Sequence, residues 1–339
     1  MNVLVTGGTG FLGSYVVAAL EAAGHKAFAY DVAAPTDEML AVAASLATNC
    51  RSGSINDINQ LLAICRAEQI HAIVHTAGRV GLEPSLADPP AFYQTNIMGL
   101  VNVCETARRL GLHKLVSISS NAAYHKGAGE QLVETDPPFS ITHANPAAHY
   151  GTSKMAGEAI GMAYAEFHKV DFIALRVTAI YGFGMRSPMY IKPMVENAIL
   201  GKPTRFGTGG PMKRDYTHVL DCCEAIVMAV NAPRWQQATQ RVLNISAGRT
   251  WTAAEVAAVV RRVIPQADIE IGDTLTPLEQ ANVQMRAPLD ISAAKRLLGW
   301  SPKWPIEDGI RQYADRFRTY VNETGAHSPS GSLARPQSA

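Results

Sequence analysis

Residues 6–13 read Thr-Gly-Gly-Thr-Gly-Phe-Leu-Gly, directly after a β-branched apolar run at 2–6 and directly before a helical pattern that begins at Phe11. Gly8, Gly10 and Gly13 satisfy the spacing G-x-G-x-x-G, and Gly7, Gly10 and Gly13 equally satisfy G-x-x-G-x-x-G. A strand that turns this tightly into a helix brings bare backbone and a helix N-terminus to one point, where a pyrophosphate can be held. Asp31 closes the second strand pattern, 18 residues past Gly13. A carboxylate there accepts both ribose hydroxyls of an adenine dinucleotide and repels a 2′-phosphate, so the pattern favours NAD over NADP.

The first half of the chain repeats the same alternation. Strand patterns at 2–6, 26–31, 72–76, 114–119 and 172–177 are separated by helical patterns at 11–23, 37–47, 57–67, 90–109 and 146–168. Strand, helix, strand at this spacing predicts an α/β fold, a Rossmann-type doubly wound parallel sheet whose strands are apolar on both faces. The regularity fades after Ile180, where Pro188, Pro193, Pro203 and Pro211 punctuate the chain with glycines. Loops of that kind often shape a pocket over a rigid scaffold. A strand pattern returns at 241–245, with helices at 252–263, 291–298 and 305–320. We therefore assign 1–178 to a nucleotide-binding domain to which 213–245 returns. Residues 179–212 and 246–322 form a smaller, mostly α substrate-binding part, and 325–339, rich in Ser, Pro, Gly and Ala, reads as a loose tail.

Composition narrows the partners. Lys and Arg total 30 against 29 for Asp and Glu, a formal charge of +1 that provides no field for nucleic acid or an anionic membrane. No apolar run reaches membrane-spanning length and the first residues lack a signal-peptide pattern, so a cytoplasmic protein is expected. The 5 cysteines are an odd number without ligand spacing, and adjacent Cys222 and Cys223 read as reduced thiols. His71 and His75, four apart on a strand pattern, read as core histidines, and no metal is expected.

Tyr150 and Lys154 are four apart on the 146–168 helical pattern and so share a face. A phenol has an ordinary pKa of about 10, and a neighbouring ammonium favours its phenolate, the form that acts as a base. Upstream, Ser117-Ile118-Ser119-Ser120 ends a strand pattern at the carboxyl edge of the sheet, where doubly wound folds bind ligands.

Together these motifs resemble the extended short-chain dehydrogenase/reductase family, the NAD-dependent epimerase/dehydratase group. The resemblance runs from Asn2 to about Tyr320 through TGGTGFLG (6–13), HTAG (75–78), SISSNAAY (117–124), YGTSK (150–154), RVTAIYG (176–182), KRDYTHVLD (213–221), LNISAG (243–248) and LGWSP (298–302). It implies a catalytic set of Ser120, Tyr150 and Lys154, with Ser120 taken over Ser119 because the family's active hydroxyl lies four residues before the tyrosine matching Tyr124. It implies NAD contacts from Gly7, Gly10, Phe11, Leu12, Gly13, Asp31, Ser54, Ile55, Ala77, Gly78, Arg79, Asn96, Tyr150 and Lys154. Substrate contacts fall on Arg79, Ser120, Asn121, Ala179, Arg214 and Arg286. The resemblance also implies a homodimer built on the helices at 90–109 and 146–168.

The departures bear on the substrate. Sugar dehydratases of the family carry an acidic pair where this chain has Asn121 and Ala122, so dehydration is not expected. An adenine contact usually made by Asp meets Ser54. The Asn usual in nucleotide-sugar enzymes is Ala179, and Thr276-Pro277-Leu278-Glu279-Gln280 occupies the stretch where they carry Arg-Pro-Gly-Asp. With those diphosphate contacts eroded, the favoured reading is a net dehydrogenase acting on a secondary alcohol of a sugar-like or hydroxy-acid substrate. The alternative is a nucleotide-sugar epimerase with tightly held NAD, and a third class is a non-catalytic nucleotide sensor.

Overall fold

The computed structural model describes residues 1–125, 131–235, 239–283 and 287–325. The tail expected at 325–339 lies outside the described residues from 326 onward. The first half alternates as β1 (Asn2–Thr6), α1 (Phe11–Ala22), β2 (Lys26–Asp31), α2 (Asp37–Val42), α3 (Leu46–Asn49), β3 (Cys50–Ser52), α4 (Ile58–Ala67) and β4 (Ala72–His75). It continues through α5 (Leu82–Ala87), α6 (Pro89–Tyr93), α7 (Gly99–Leu110), β5 (Lys114–Ser120), α8 (Ala148–His168) and β6 (Phe172–Val177). A seven-stranded parallel sheet results, in the order β11-β6-β5-β4-β1-β2-β3, where β11 is Val242–Ile245. The order reverses between β1 and β4, so a crevice opens at the carboxyl ends of those two strands.

Side-chain alternation builds a core on each face of the sheet. Val3, Val5, Ala27, Ala29 and Val74 pack with α1 on one face, while Leu4, Phe28, Tyr30 and Ile73 pack with α4 and α7 on the other. The remaining elements are β7 (Ala179–Tyr181), α9 (Ile191–Ile199), β8 (Thr204–Phe206), β9 (Lys213–Arg214), β10 (Tyr216–His218) and α10 (Val219–Asn231). After β11 come β12 (Trp251–Thr252), α11 (Ala253–Val263), β13 (Ile269–Ile271), α12 (Pro277–Val283), α13 (Ser292–Leu298) and α14 (Ile306–Thr324). Helices α9, α11 and α14 enclose a further core that includes Met194, Val195, Val256, Val260, Ile310 and Phe317. α10 does not join it, because Cys222, Cys223, Ile226 and Val230 pack against the sheet core instead.

Several expected boundaries move, each for a local reason. The helix expected at 37–47 is broken by an extended Ala43. The one expected at 90–109 is three pieces: Asp88 caps α6 by accepting the Ala91 N–H, and a π-helical turn over Gln94–Met98 precedes α7. Helices α9 and α10 had no clear pattern. Pro193 in the first turn of α9 hid the one, and burial on nearly every side removed the period from the other. His71 is exposed ahead of β4 rather than in the core, whereas His75 is buried. Thr252 and Glu255 form a reciprocal capping box that fixes the start of α11 where the sequence put it. Among the described residues no helix is long and apolar enough to cross a membrane.

Candidate active site

The glycine loop meets the crevice. Gly7 has φ +72°, and a Cβ on it would lie 2.6 Å from the Ala77 nitrogen at the end of β4. A Cβ on Gly13 would lie 2.1 Å from the Gly7 carbonyl oxygen, so the loop and the first turn of α1 close only on hydrogen. The Gly10 N–H donates to the Gly7 carbonyl at 3.0 Å, and Gly10 is the N-cap of α1. This is a bare backbone cradle at a helix N-terminus, which fits a dinucleotide pyrophosphate. Phe11 and Leu12 follow in the first turn, both half-buried. Asp31 stands at the end of β2 and accepts the Thr9 and Ala33 N–H groups at 3.2 and 3.3 Å, so its carboxylate is held beside the loop.

Asn96 organises the far wall of the crevice from within the π-helical turn. Its Oδ1 accepts the Arg79 N–H at 2.8 Å, and its amide nitrogen donates to the Arg79 carbonyl at 3.0 Å and to Ser153 Oγ at 2.9 Å. One side chain thus ties the Ala77–Arg79 segment to α8. An inserted residue re-aims side chains, which is why such turns recur at functional sites. Ile55 is buried, its carbonyl held by Asn102, and the Ser54 carbonyl accepts the Tyr30 hydroxyl.

Ser120, Tyr150 and Lys154 converge at the carboxyl end of β5. The Ser120 hydroxyl accepts the Ala122 N–H at 3.1 Å and donates to Asn121 Oδ1 at 3.3 Å. Burial pushes the Tyr150 phenol upward, and the hydrogen bond to Ser120 pulls it partly back. The Lys154 ammonium donates to the Ile118 carbonyl at 2.8 Å and lies 5.9 Å from the centre of the Tyr150 ring. Burial brings Lys154 down to about 8, opposed by the Glu158 carboxylate one turn further along α8. Glu158 makes a bidentate pair with Arg176 at 2.7 and 2.9 Å and accepts the Ser119 hydroxyl. The i, i+4 spacing of Lys154 and Glu158 places this carboxylate on the lysine's own helix face. Asp215, whose acidity burial weakens to about 6, has no such local signal.

Of the residues expected to touch substrate, Ser120 and Asn121 adjoin each other, and Arg79 is exposed on the rim. Ala179 begins β7, and its N–H donates to the Asp215 carbonyl at 3.1 Å. Arg214 is half-buried in β9, paired with Trp251 of β12, and desolvation lowers its pKa. Arg286 lies outside the described residues. Tyr181 and Tyr216 are buried core side chains, while Tyr190 is half-buried with its hydroxyl on Glu279. Among the described residues no group of three or more His, Cys, Asp or Glu side chains could hold a metal.

The chain is similar to known proteins over nearly its whole length. A UDP-glucose 4-epimerase of Lacticaseibacillus casei is 27% identical over 337 residues, which cover 93% of this chain and 96% of that protein. The crystal structure of the Thermus thermophilus UDP-glucose 4-epimerase in complex with NAD is 26% identical and superposes with a TM-score of 0.78 over 94% of this chain and 99% of that one. The fold is also that of the Thermotoga maritima UDP-glucose 4-epimerase solved with UDP-glucose, at a TM-score of 0.80 and 24% identity over 95% of this chain and 100% of that one. The family model described as NAD dependent epimerase/dehydratase matches residues 3–246. The chain belongs to the NAD-dependent epimerase/dehydratase family.

Proposed function

We propose that this chain is a nucleotide-sugar epimerase that keeps its NAD through each cycle, which reverses the preference for a net dehydrogenase drawn from Ala179 and 276–280. The observation that carries this reading is the extent of the likeness. The similarity to UDP-glucose 4-epimerases runs through the second half of the chain as well as the nucleotide-binding half, with 96% and 99% of those two proteins covered. An enzyme sharing only the nucleotide-binding half would diverge there, because Ala179 and Arg214 among the expected substrate contacts lie in the second half.

In this reading Gly7, Gly10 and Gly13 hold the pyrophosphate, Asp31 the adenosine ribose and the Ala77–Arg79 segment the nicotinamide side. When bound, NAD supplies a carbon that accepts a hydride and later returns it. Tyr150 takes the proton of the sugar hydroxyl and gives it back, so it serves as base in one direction and acid in the other. Ser120 turns its hydroxyl proton from Asn121 Oδ1 to the same sugar oxygen. Lys154 keeps a positive charge at the floor of the site, which favours the ionised tyrosine as the proton moves. Arg214 offers a planar guanidinium to the diphosphate. The absence of a carboxylate at Asn121 and Ala122 leaves no acid and base to eliminate water.

The first test is to denature the purified protein and assay the supernatant for NAD. The proposal expects about one NAD per chain, surviving dialysis. It also expects inversion at a sugar carbon of a UDP-, GDP- or dTDP-sugar without accumulation of NADH. NADH appearing in proportion to the substrate consumed would return the assignment to a dehydrogenase.

A further inference from the structure

We infer that Asn145 is a positioning residue that sets the approach of Ser120 to Tyr150. The inference rests on the roles proposed above for those two side chains. It starts from the peptide beside the serine. Ser120 caps a short 3-10 turn over Asn121–Ala123, its hydroxyl accepting the Ala122 N–H at 3.1 Å. The carbonyl of that same Ala122 accepts the Asn145 side-chain N–H at 3.0 Å. The other end of the carboxamide, Oδ1, accepts the Ala147 N–H at 2.7 Å, and the Asn145 carbonyl accepts the Ala148 N–H at 2.8 Å. Ala148 opens the helix that carries Tyr150 in its first turn.

Ser120 therefore bears on Tyr150 in two ways, directly, by drawing the phenol's pKa down, and through Ala122 and Asn145. Two observations show that this second link is held tightly. Ala148 has φ +50°, an uncommon conformation for a residue with a Cβ, and the hydrogen bonds around Asn145 hold the chain in it. Gly151, next to Tyr150, lies so close that a Cβ there would be 2.2 Å from Asn145 Oδ1 and 2.5 Å from the Ala122 carbonyl oxygen. Both ends of the carboxamide are used, one as donor and one as acceptor, so an aspartate of the same shape would turn an oxygen toward the Ala122 carbonyl.

The test uses Asn145→Ala and Asn145→Asp in the full chain, alone and combined with Ser120→Ala. Two quantities are read: kcat with the nucleotide sugar found above, and the ionisation midpoint of Tyr150 from ultraviolet phenolate titration, taken as the difference from Tyr150→Phe. The inference expects kcat to fall about 10-fold to 100-fold with NAD content unchanged, and the midpoint to rise by about one pH unit, the effect of losing one charge-assisted hydrogen bond. In the Ser120→Ala background the same substitutions should cost less than about twofold, because residues acting through one contact are not additive.

An equal factor in both backgrounds, or a midpoint that does not move, overturns the inference. Should the Asn145 variants lose NAD through misfolding, Gly151→Ala presses on the same contact and is read by the same two measures. The phenolate titration needs no substrate, so a wrong substrate class leaves it intact. A Tyr150→Phe variant with unimpaired turnover would instead strike the proposed role of the tyrosine.

Discussion

His75 gives the chain an acid-labile point at the centre of its cofactor crevice. The imidazole ends β4, faces Thr6 of β1 and Ser117 of β5, and shares a 2.8 Å hydrogen bond with Thr6 Oγ1. Burial, reinforced by the Lys154 ammonium, lowers its pKa from 6.5 to about 3. The folded state therefore binds a proton less readily than the unfolded state. Stability from this group is complete above pH 6.5 and is lost as the pH falls toward 3. At about 1.4 kcal/mol per pH unit, the whole loss is about 5 kcal/mol, and between pH 7 and 5 it is about 2 kcal/mol. That is a large share of the roughly 5–15 kcal/mol typical of a folded domain.

Guanidinium unfolding of the protein and of His75→Asn at pH 7, 6 and 5 measures it. The variant starts less stable, having lost the ring, but should lose about 2 kcal/mol less on going to pH 5. His218, lowered to about 4 by burial, adds the same acid loss to both proteins and cancels in the comparison. Parallel losses in the two would refute the reasoning.

Three further outcomes are expected. Gly13→Ala, whose Cβ would meet the Gly7 carbonyl at 2.1 Å, should leave the protein folded but without co-purifying NAD, as measured on the denatured supernatant. Glu158→Gln leaves Arg176 buried without its carboxylate and should cost about 3–5 kcal/mol in chemical denaturation, a loss that a surface ion pair would not show. The rate should fall above about pH 8, where Lys154 loses its proton, and Lys154→Met should remove that falling limb along with most of the activity.

Much of this was legible from residue types and spacing. The glycine loop, Asp31, and the pair Tyr150 and Lys154 depend on local geometry: a turn that excludes Cβ, a strand end and one helix face. Such features keep their meaning wherever the chain goes next. Asn96 was legible only through resemblance, since its effect needs the π-helical turn over Gln94–Met98, and nothing in the residue types there marks the inserted residue. Asn145 carried no signal, because its partners Ala122 and Ala147 contribute only backbone atoms.

The alternation of strand and helix, the glycine loop and the candidacy of Tyr150 and Lys154 for proton transfer could all be read along the chain, because each rests on periodicity or on one residue's chemistry. How those residues are tuned depends on packing. Burial, a property of the packed whole, pushes Tyr150 up and brings Lys154 down, and the lysine donates to the Ile118 carbonyl. The Glu158–Arg176 pair and the Asn145 link likewise join segments 18 and 23 residues apart. Contacts of that kind come from the docking of α8 on the sheet, which no single segment specifies.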